Sequence, residues 1–142
     1  MESLLAKLYV LICQLEEYIM PPKIIKLATF IRDYEGKPGD KNYRNNNPGN
    51  CRWNPTGYLA KYGKVKKSTD NFAIFPTYEQ GWNYLCNMLL NWAKGSRAEW
   101  SIERLMRSYA PTEDDNDPVA YSDHISKQLG VPSSTKLKEL LK

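Results

Sequence analysis

The stretch Ile24-Ile25-Lys26-Leu27-Ala28-Thr29-Phe30-Ile31-Arg32-Asp33-Tyr34-Glu35-Gly36, followed by Arg44-Asn45-Asn46-Asn47-Pro48-Gly49-Asn50, decides how this chain is read. Ile24, Leu27, Ala28 and Ile31 recur at helical spacing, and the next positions on that face are Tyr34 and Glu35. The spacing predicts a helix over Lys23 to Glu35, stopped by Gly36, with a carboxylate turned toward the core in its last turn. Desolvation there disfavours the charged form, and the negative end of the helix dipole acts in the same direction. The pKa of Glu35 is therefore expected to be raised. A carboxyl group that keeps its proton near neutral pH is equipped for general-acid chemistry. A glutamate in a terminal turn is, by itself, usually a half-solvated surface residue. The loop after it is what gives the position meaning.

Gly36 to Asn50 is too rich in Gly, Pro and Asn for regular structure over much of its length, and reads as a long ordered loop. Long loops within compact domains tend to carry function. Asn45, Asn46, Asn47 and Asn50 offer uncharged donors and acceptors together, the mixture that hydroxyl- and acetamido-rich ligands such as glycans require. Pro48-Gly49 sets a turn. Asparagine also braces turns through nearby backbone, so ligand contact and architecture stand as equal readings of each amide. Tyr34, Tyr43, Trp53, Tyr58, Tyr62 and Tyr78 offer faces on which sugar rings could stack, whereas Trp82 and Trp92 fall on an inward helical face and read as core.

The 142 residues suit one domain, long enough to bury roughly two thirds of its unfolded surface. Formal net charge is +4, with basic residues gathered at Lys61, Lys64, Lys66 and Lys67. That balance suits an acidic polymer, cell wall or nucleic acid, without identifying either, and gives no sign of specific nucleic-acid recognition. Cys13, Cys51 and Cys86 have no paired spacing and read as small buried thiols. His124, the single histidine, has no Cys or His at ligand spacing, so no metal and no cofactor is expected.

Leu4, Leu5, Leu8, Leu11, Ile12, Leu15 and Ile19 form a helical stripe interrupted by Glu2, Lys7, Glu16 and Glu17. Residues 1–22 are expected to form an amphipathic helix packed on or next to the domain formed by 23–142, with a membrane surface or a partner as the other use of that stripe. The apolar run is too short to span a bilayer, and the segment lacks the basic start and small residues of an export signal. Two short extended segments are expected around Cys51-Arg52-Trp53 and Asn71 to Phe75, and between them Asn54-Pro55-Thr56-Gly57, Tyr62-Gly63 and the lysine group are expected to form turns and an exposed hairpin. Thr77 with Gln80 forms a capping box for a helix carrying Tyr78, Trp82, Leu85, Leu89 and Trp92 to Gly95. Ser101 caps a helix presenting Ile102, Leu105, Met106 and Tyr109. Asp117-Pro118 opens another, through Tyr121, Ile125 and Leu129 to Gly130, and a short last helix is expected from Ser133 or Ser134. The fold class is α+β, mostly α, with one small antiparallel hairpin after the first core helix.

Glu35-Gly36, a loop of about ten residues, Tyr43-Arg44-Asn45-Asn46-Asn47-Pro48-Gly49-Asn50, and then Phe72-Ala73-Ile74-Phe75-Pro76-Thr77 with Gly81, resemble the small lysozyme-like proteins of bacteriophages and bacteria marked by the string RNNNPGN. Members of that family are described as virion structural proteins, endolysins or lytic transglycosylases. Tyr109-Ala110-Pro111 through Asn116-Asp117-Pro118 to Tyr121 and Leu129-Gly130-Val131 is similar as well. The resemblance implies a lysozyme-like fold that cleaves the β-1,4 bond between amino sugars of peptidoglycan, with Glu35 as the acid. It implies substrate contacts from Tyr43, Arg44, Asn45, Asn46, Asn47, Asn50, Tyr109, Asn116 and Tyr121.

A second carboxylate is not marked. A retaining glycosidase needs one about 5 Å from the acid, and an inverting one a base further off. Asp33 lies on nearly the opposite helix face. Asp40 and Asp70 remain, with Asp70 placed at the start of the second strand, where it could reach over a cleft. Asp114, Asp115 and Asp117 suit capping better than catalysis. A single carboxyl suffices if the sugar's own 6-hydroxyl closes on the cation, the lytic transglycosylase route. The expected function is peptidoglycan strand cleavage, by a muramidase or a lytic transglycosylase; the other reading is a non-enzymatic virion or wall-binding protein on the same fold. The expected partner is the glycan strand, chitin-type polymers staying open as substrate. A monomer or virion component is expected, made in the cytoplasm and reaching the wall after release or within a virion.

Overall fold

Two prolines divide the first two helices. Pro21 is extended at φ −58°, ψ 139°, and Pro22 opens the next helix without costing it a hydrogen bond. The computed structural model describes residues 3–109 and 117–142, with the backbone alone for 13–19. Helix α1 spans Leu4–Ile19 and α2 spans Pro22–Glu35. In the described part of α1 the apolar stripe is not packed, where packing on the domain was expected: Leu4 is 83% exposed and Leu5 79%, and Leu8, Leu11 and Ile12 are exposed too. The extended Pro21 turns the chain between the two helices, so the stripe of α1 does not continue the buried face of α2. No helix among the described residues is long and apolar enough to cross a membrane.

Helix α2 buries Ile24, Leu27, Ala28, Phe30 and Ile31, the face given by its periodicity. The long loop after it is interrupted by a short helix, α3 (Lys41–Arg44), a stretch free of Gly and Pro within the irregular region. A 3-10 helix then occupies Tyr58–Tyr62, where only turns were expected. The sheet is one antiparallel pair, β1 (Lys66–Lys67) and β2 (Ala73–Ile74), in the register Lys66 to Ile74 and Lys67 to Ala73. Lys66 and Lys67 of the lysine group thus form the first strand of the exposed hairpin expected there. The backbone of Cys51 to Trp53 joins the hairpin through the Arg52–Phe72 bridge and its two hydrogen bonds, while Asn47 takes the Cys51 amide and one further site on its carbonyl.

Helix α4 (Tyr78–Lys94) starts where Thr77 accepts a hydrogen bond from the Gln80 amide. Helix α5 (Ile102–Tyr109) starts where Ser101 accepts one from Arg104, and α6 (Pro118–Leu129) where Asp117 accepts one from Ala120. Asp117 is a cap. Gly130 ends α6 at φ 71°, a left-handed position that suits glycine. The expected last helix begins later, as a 3-10 turn over Leu137–Leu141. The residues before it are used otherwise: the Ser133 and Thr135 carbonyls accept from the Glu103 and Ile102 amides, satisfying the first donors of α5. α2 packs against α4, α6 and the 3-10 turn at Leu137–Leu141, while α5 packs on α6. Ile24, Leu27, Ile31, Leu85, Leu89, Ile102, Leu105, Met106, Ile125, Leu137 and Leu140 fill the centre. The result is mostly helical, with one small antiparallel sheet between the first core helix and α4.

Candidate active site

Glu35 is the last residue of α2, and its carboxyl stands on the wall of a cleft of about 790 Å³. Trp53 and Phe72 line the hairpin side, Tyr84, Met88 and Trp92 come from α4, and Ser108 and Tyr109 from the end of α5. Asn50 Nδ2 donates to Glu35 Oε2 at 3.0 Å. Burial raises the Glu35 pKa; the Asn50 hydrogen bond and the charge of Lys41 oppose the rise without cancelling it. The expectation from the sequence was a raised value from desolvation, and desolvation is the leading cause.

The asparagine run frames this acid. Asn42, fully buried, donates to the Arg32 carbonyl in the last turn of α2 at 3.2 Å and to the Pro48 carbonyl at 3.1 Å. Gly36 is needed beside it, since a Cβ there would strike Asn42 Oδ1. Asn46 donates to the Phe75 carbonyl at 3.1 Å, and the Asn45 carbonyl accepts from the Phe75 amide at 2.9 Å. Asn47, 1% exposed, donates to the Cys51 and Ala73 carbonyls and accepts from the Cys51 amide, each at 2.9 Å. Asn46 and Asn50 hold φ at 51° and 46°, left-handed positions that asparagine tolerates better than most residues. Helix α4 approaches so closely that a Cβ on Gly81 would overlap the Asn46 carbonyl oxygen.

The residues expected to contact substrate are therefore placed apart from one another. The side chains of Asn46 and Asn47 are spent on the Phe75, Cys51 and Ala73 backbone, Asn45 is tied to the frame through its carbonyl, and none of the three lines the cleft. Arg44 is exposed and Tyr43 stacks on Tyr78 with centroids 5.8 Å apart; neither lines the cleft. Tyr121 packs edge-on against Tyr34 at 4.4 Å and borders a separate cavity of about 480 Å³ between α2 and α6. Asn50 and Tyr109 do line the cleft with Glu35. Asn116 lies outside the described residues, as do Asp114 and Asp115.

Asp70, expected to reach over a cleft, stands away from this one. The Thr69-Asp70-Asn71 loop turns with Asn71 at φ 70°, which leaves Asp70 exposed at the hairpin tip. There it accepts from Lys41 at 2.8 Å and Ser68 at 2.6 Å, and these bonds hold its pKa down to about 2. It does not line the cleft. Among the described lining residues Glu35 is the single acid, against two cations, Arg52 and Arg97.

Phe72, Tyr84, Met88, Trp92, Arg97 and Ser108 line the cleft although the sequence did not mark them for it. Trp92 is half-buried, one edge against the core and one toward the cleft, so a helical wheel alone assigned it inward. Nothing in the local sequence sets Arg97 apart from a surface arginine. Cys51 lines the cleft as a free thiol, but burial and the neighbouring Glu35 push its pKa up to about 12. A thiol so firmly protonated is no nucleophile. Burial likewise drives the Tyr109 hydroxyl well above its ordinary range, leaving a neutral phenol. Among the described residues no group of three or more His, Cys, Asp or Glu side chains is placed to hold a metal ion. Comparison with protein-family models, with curated proteins and with solved structures finds no match.

Proposed function

We propose that this protein cleaves peptidoglycan glycan strands, on a lysozyme-like fold, with Glu35 as general acid. The observation that carries the reading is a half-buried carboxyl with a raised pKa, set in an open cleft large enough for several sugar rings. Trp53, Phe72 and Trp92 supply apolar surface for those rings, while Asn50 and Tyr109 supply neutral polar groups near the acid.

The absence of a second acid among the described lining residues favours the route that needs only one. Glu35 gives its proton to the bridging oxygen as the C1–O bond breaks, and positive charge develops on the sugar ring. The Glu35 carboxylate then takes the proton of the 6-hydroxyl of that same sugar as its oxygen bonds to C1. The product is a 1,6-anhydro end, the acid has its proton back, and no water is consumed.

Digestion of purified peptidoglycan by wild type and Glu35→Gln, with product ends identified by mass, tests both parts. The expected result is 1,6-anhydro ends from wild type and none from a folded Glu35→Gln. Reducing ends in place of anhydro ends would move the reaction to hydrolysis. Cleavage by Glu35→Gln at the wild-type rate would remove the acid from the mechanism altogether.

A further inference from the structure

Arg97 sits in the loop between α4 and α5 and lines the same cleft as Glu35. Its guanidinium lies 3.6 Å from the ring centroid of Trp92 and 4.3 Å from that of Trp100. The backbone holds it there: the Arg97 amide donates to the Trp92 carbonyl and the Arg97 carbonyl accepts from the Trp100 amide, each at 3.0 Å. Two indole faces and a tied backbone leave this side chain little freedom. Yet Nη1 is buried with no hydrogen-bond partner among the described residues.

A buried guanidinium donor without an acceptor costs stability, and proteins ordinarily pair such a group with a carboxylate. The acid nearest in sequence, Glu99, is committed elsewhere, to Lys136 at 2.7 Å and Lys138 at 2.6 Å. Glu35, the one acid lining the cleft among the described residues, takes its hydrogen bond from Asn50. Arg104 brings a second positive charge to the same cluster, over Trp100 at 4.2 Å. Burial and that like charge both lower the Arg97 pKa, as expected of a cation lacking its counter-ion.

We propose that Arg97 is a specificity residue that receives a carboxylate hanging from the glycan strand. The proposal rests on the glycan-cleaving reading of the cleft and adds to it a preference for acidic strands over neutral ones. Polymers built only of N-acetylglucosamine carry no carboxylate. Peptidoglycan carries one at two kinds of place: on the lactyl ether of strands stripped of peptide, and on the peptide stems of intact strands. Both present the same planar acceptor, which a guanidinium fork matches better than an ammonium would.

Binding is measured by calorimetry in the Glu35→Gln protein, which holds substrate without turning it over. The probes are a neutral N-acetylglucosamine tetrasaccharide, a peptide-free peptidoglycan tetrasaccharide, and the same tetrasaccharide with its stems. Each acidic probe is used as the free acid and as its methyl ester. With Arg97 present, one acid is expected to bind about tenfold more tightly than its own ester, the size of one charge-assisted hydrogen bond. Whether that is the peptide-free or the stem-bearing probe identifies the source of the carboxylate. Arg97→Gln in the same background is expected to erase the acid-over-ester ratio. That ratio compares two ligands on one protein, so a general loss of stability does not mimic it. Equal binding of acid and ester, or a preference that survives Arg97→Gln, would overturn the role of Arg97 and leave the glycan reading standing. Failure of every saccharide to bind would overturn both.

Discussion

Asn47→Ala separates a framing amide from a ligand-binding one. Asn47 is 1% exposed and makes three hydrogen bonds of 2.9 Å, all to backbone. Truncation orphans the buried Cys51 amide, a loss of about 2 kcal/mol. It also removes a donor from the Cys51 and Ala73 carbonyls, roughly 0.5–1 kcal/mol each; the Cys51 carbonyl keeps its bond from the Ala73 amide at 3.1 Å. The sum is about 3–4 kcal/mol, a large share of the stability of an ordinary domain. For a chain of this size that corresponds to a fall of about 10 °C in Tm. Urea unfolding followed by circular dichroism, with thermal melting beside it, reads the effect directly. A loss below about 1 kcal/mol with weakened glycan binding would refute the framing role. The amide would then belong to the ligand, as half of the sequence reading allowed.

Gly81→Ala should destabilise against its own helix propensity: alanine gains about 1 kcal/mol in a helix, but its Cβ would overlap the Asn46 carbonyl oxygen and press on Pro48 Cδ at 3.1 Å. A lower urea midpoint checks this, and a higher one would mean that the loop yields freely. Asn50→Gly keeps the left-handed backbone at φ 46° while removing the hydrogen bond that favours the Glu35 anion, so the Glu35 pKa should rise further. The alkaline limb of the cleavage rate should accordingly move to higher pH; movement to lower pH would contradict the account. Because the folded pKa of Glu35 is raised above its ordinary value of 4.5, the stability this proton contributes is complete below that value and lost as pH rises through the folded one. Glu35→Gln should lack that decline in urea midpoints taken across pH, and an unchanged slope would show that the carboxyl is solvated.

What was legible in the sequence was local. The buried face of α2, the carboxylate in its last turn and the caps at Thr77, Ser101 and Asp117 each depend on residues within a turn or two of each other. The lysine group was placed in an exposed hairpin, but Lys66–Lys67 was not marked as its strand, because its partner, Ala73–Ile74, lies beyond a turn and two lysines carry no alternation. The asparagines were recognised as a group but not sorted. Asn42 was passed over although it is the fully buried one, and Asn50 differs from Asn47 only in what the folded loop brings beside it. Tyr109 and Tyr121 stood as equals in sequence; α5 ends at the cleft, whereas α6 turns Tyr121 against Tyr34. Arg97 had no signal, since its character comes from two tryptophans that the loop folds onto it.

The placement of charge around Glu35 is as informative as the acid itself. A carboxyl keeps a raised pKa only while burial outweighs every group that favours its anion. The framing loop is built from amides, which brace backbone without adding a charge that would tip that balance. Lys41 is the exception, and its charge does favour the anion. Its ammonium is held away by two contacts at the surface, the Asp70 carboxylate at 2.8 Å and the Phe72 ring at 4.1 Å. Asp70 therefore meets the acid only at one remove, as the partner of Lys41, whose charge is the least of the three influences on the Glu35 pKa while burial is the greatest. The carboxylate that sequence reasoning weighed as a second catalytic group is spent on a surface ion pair outside the cleft.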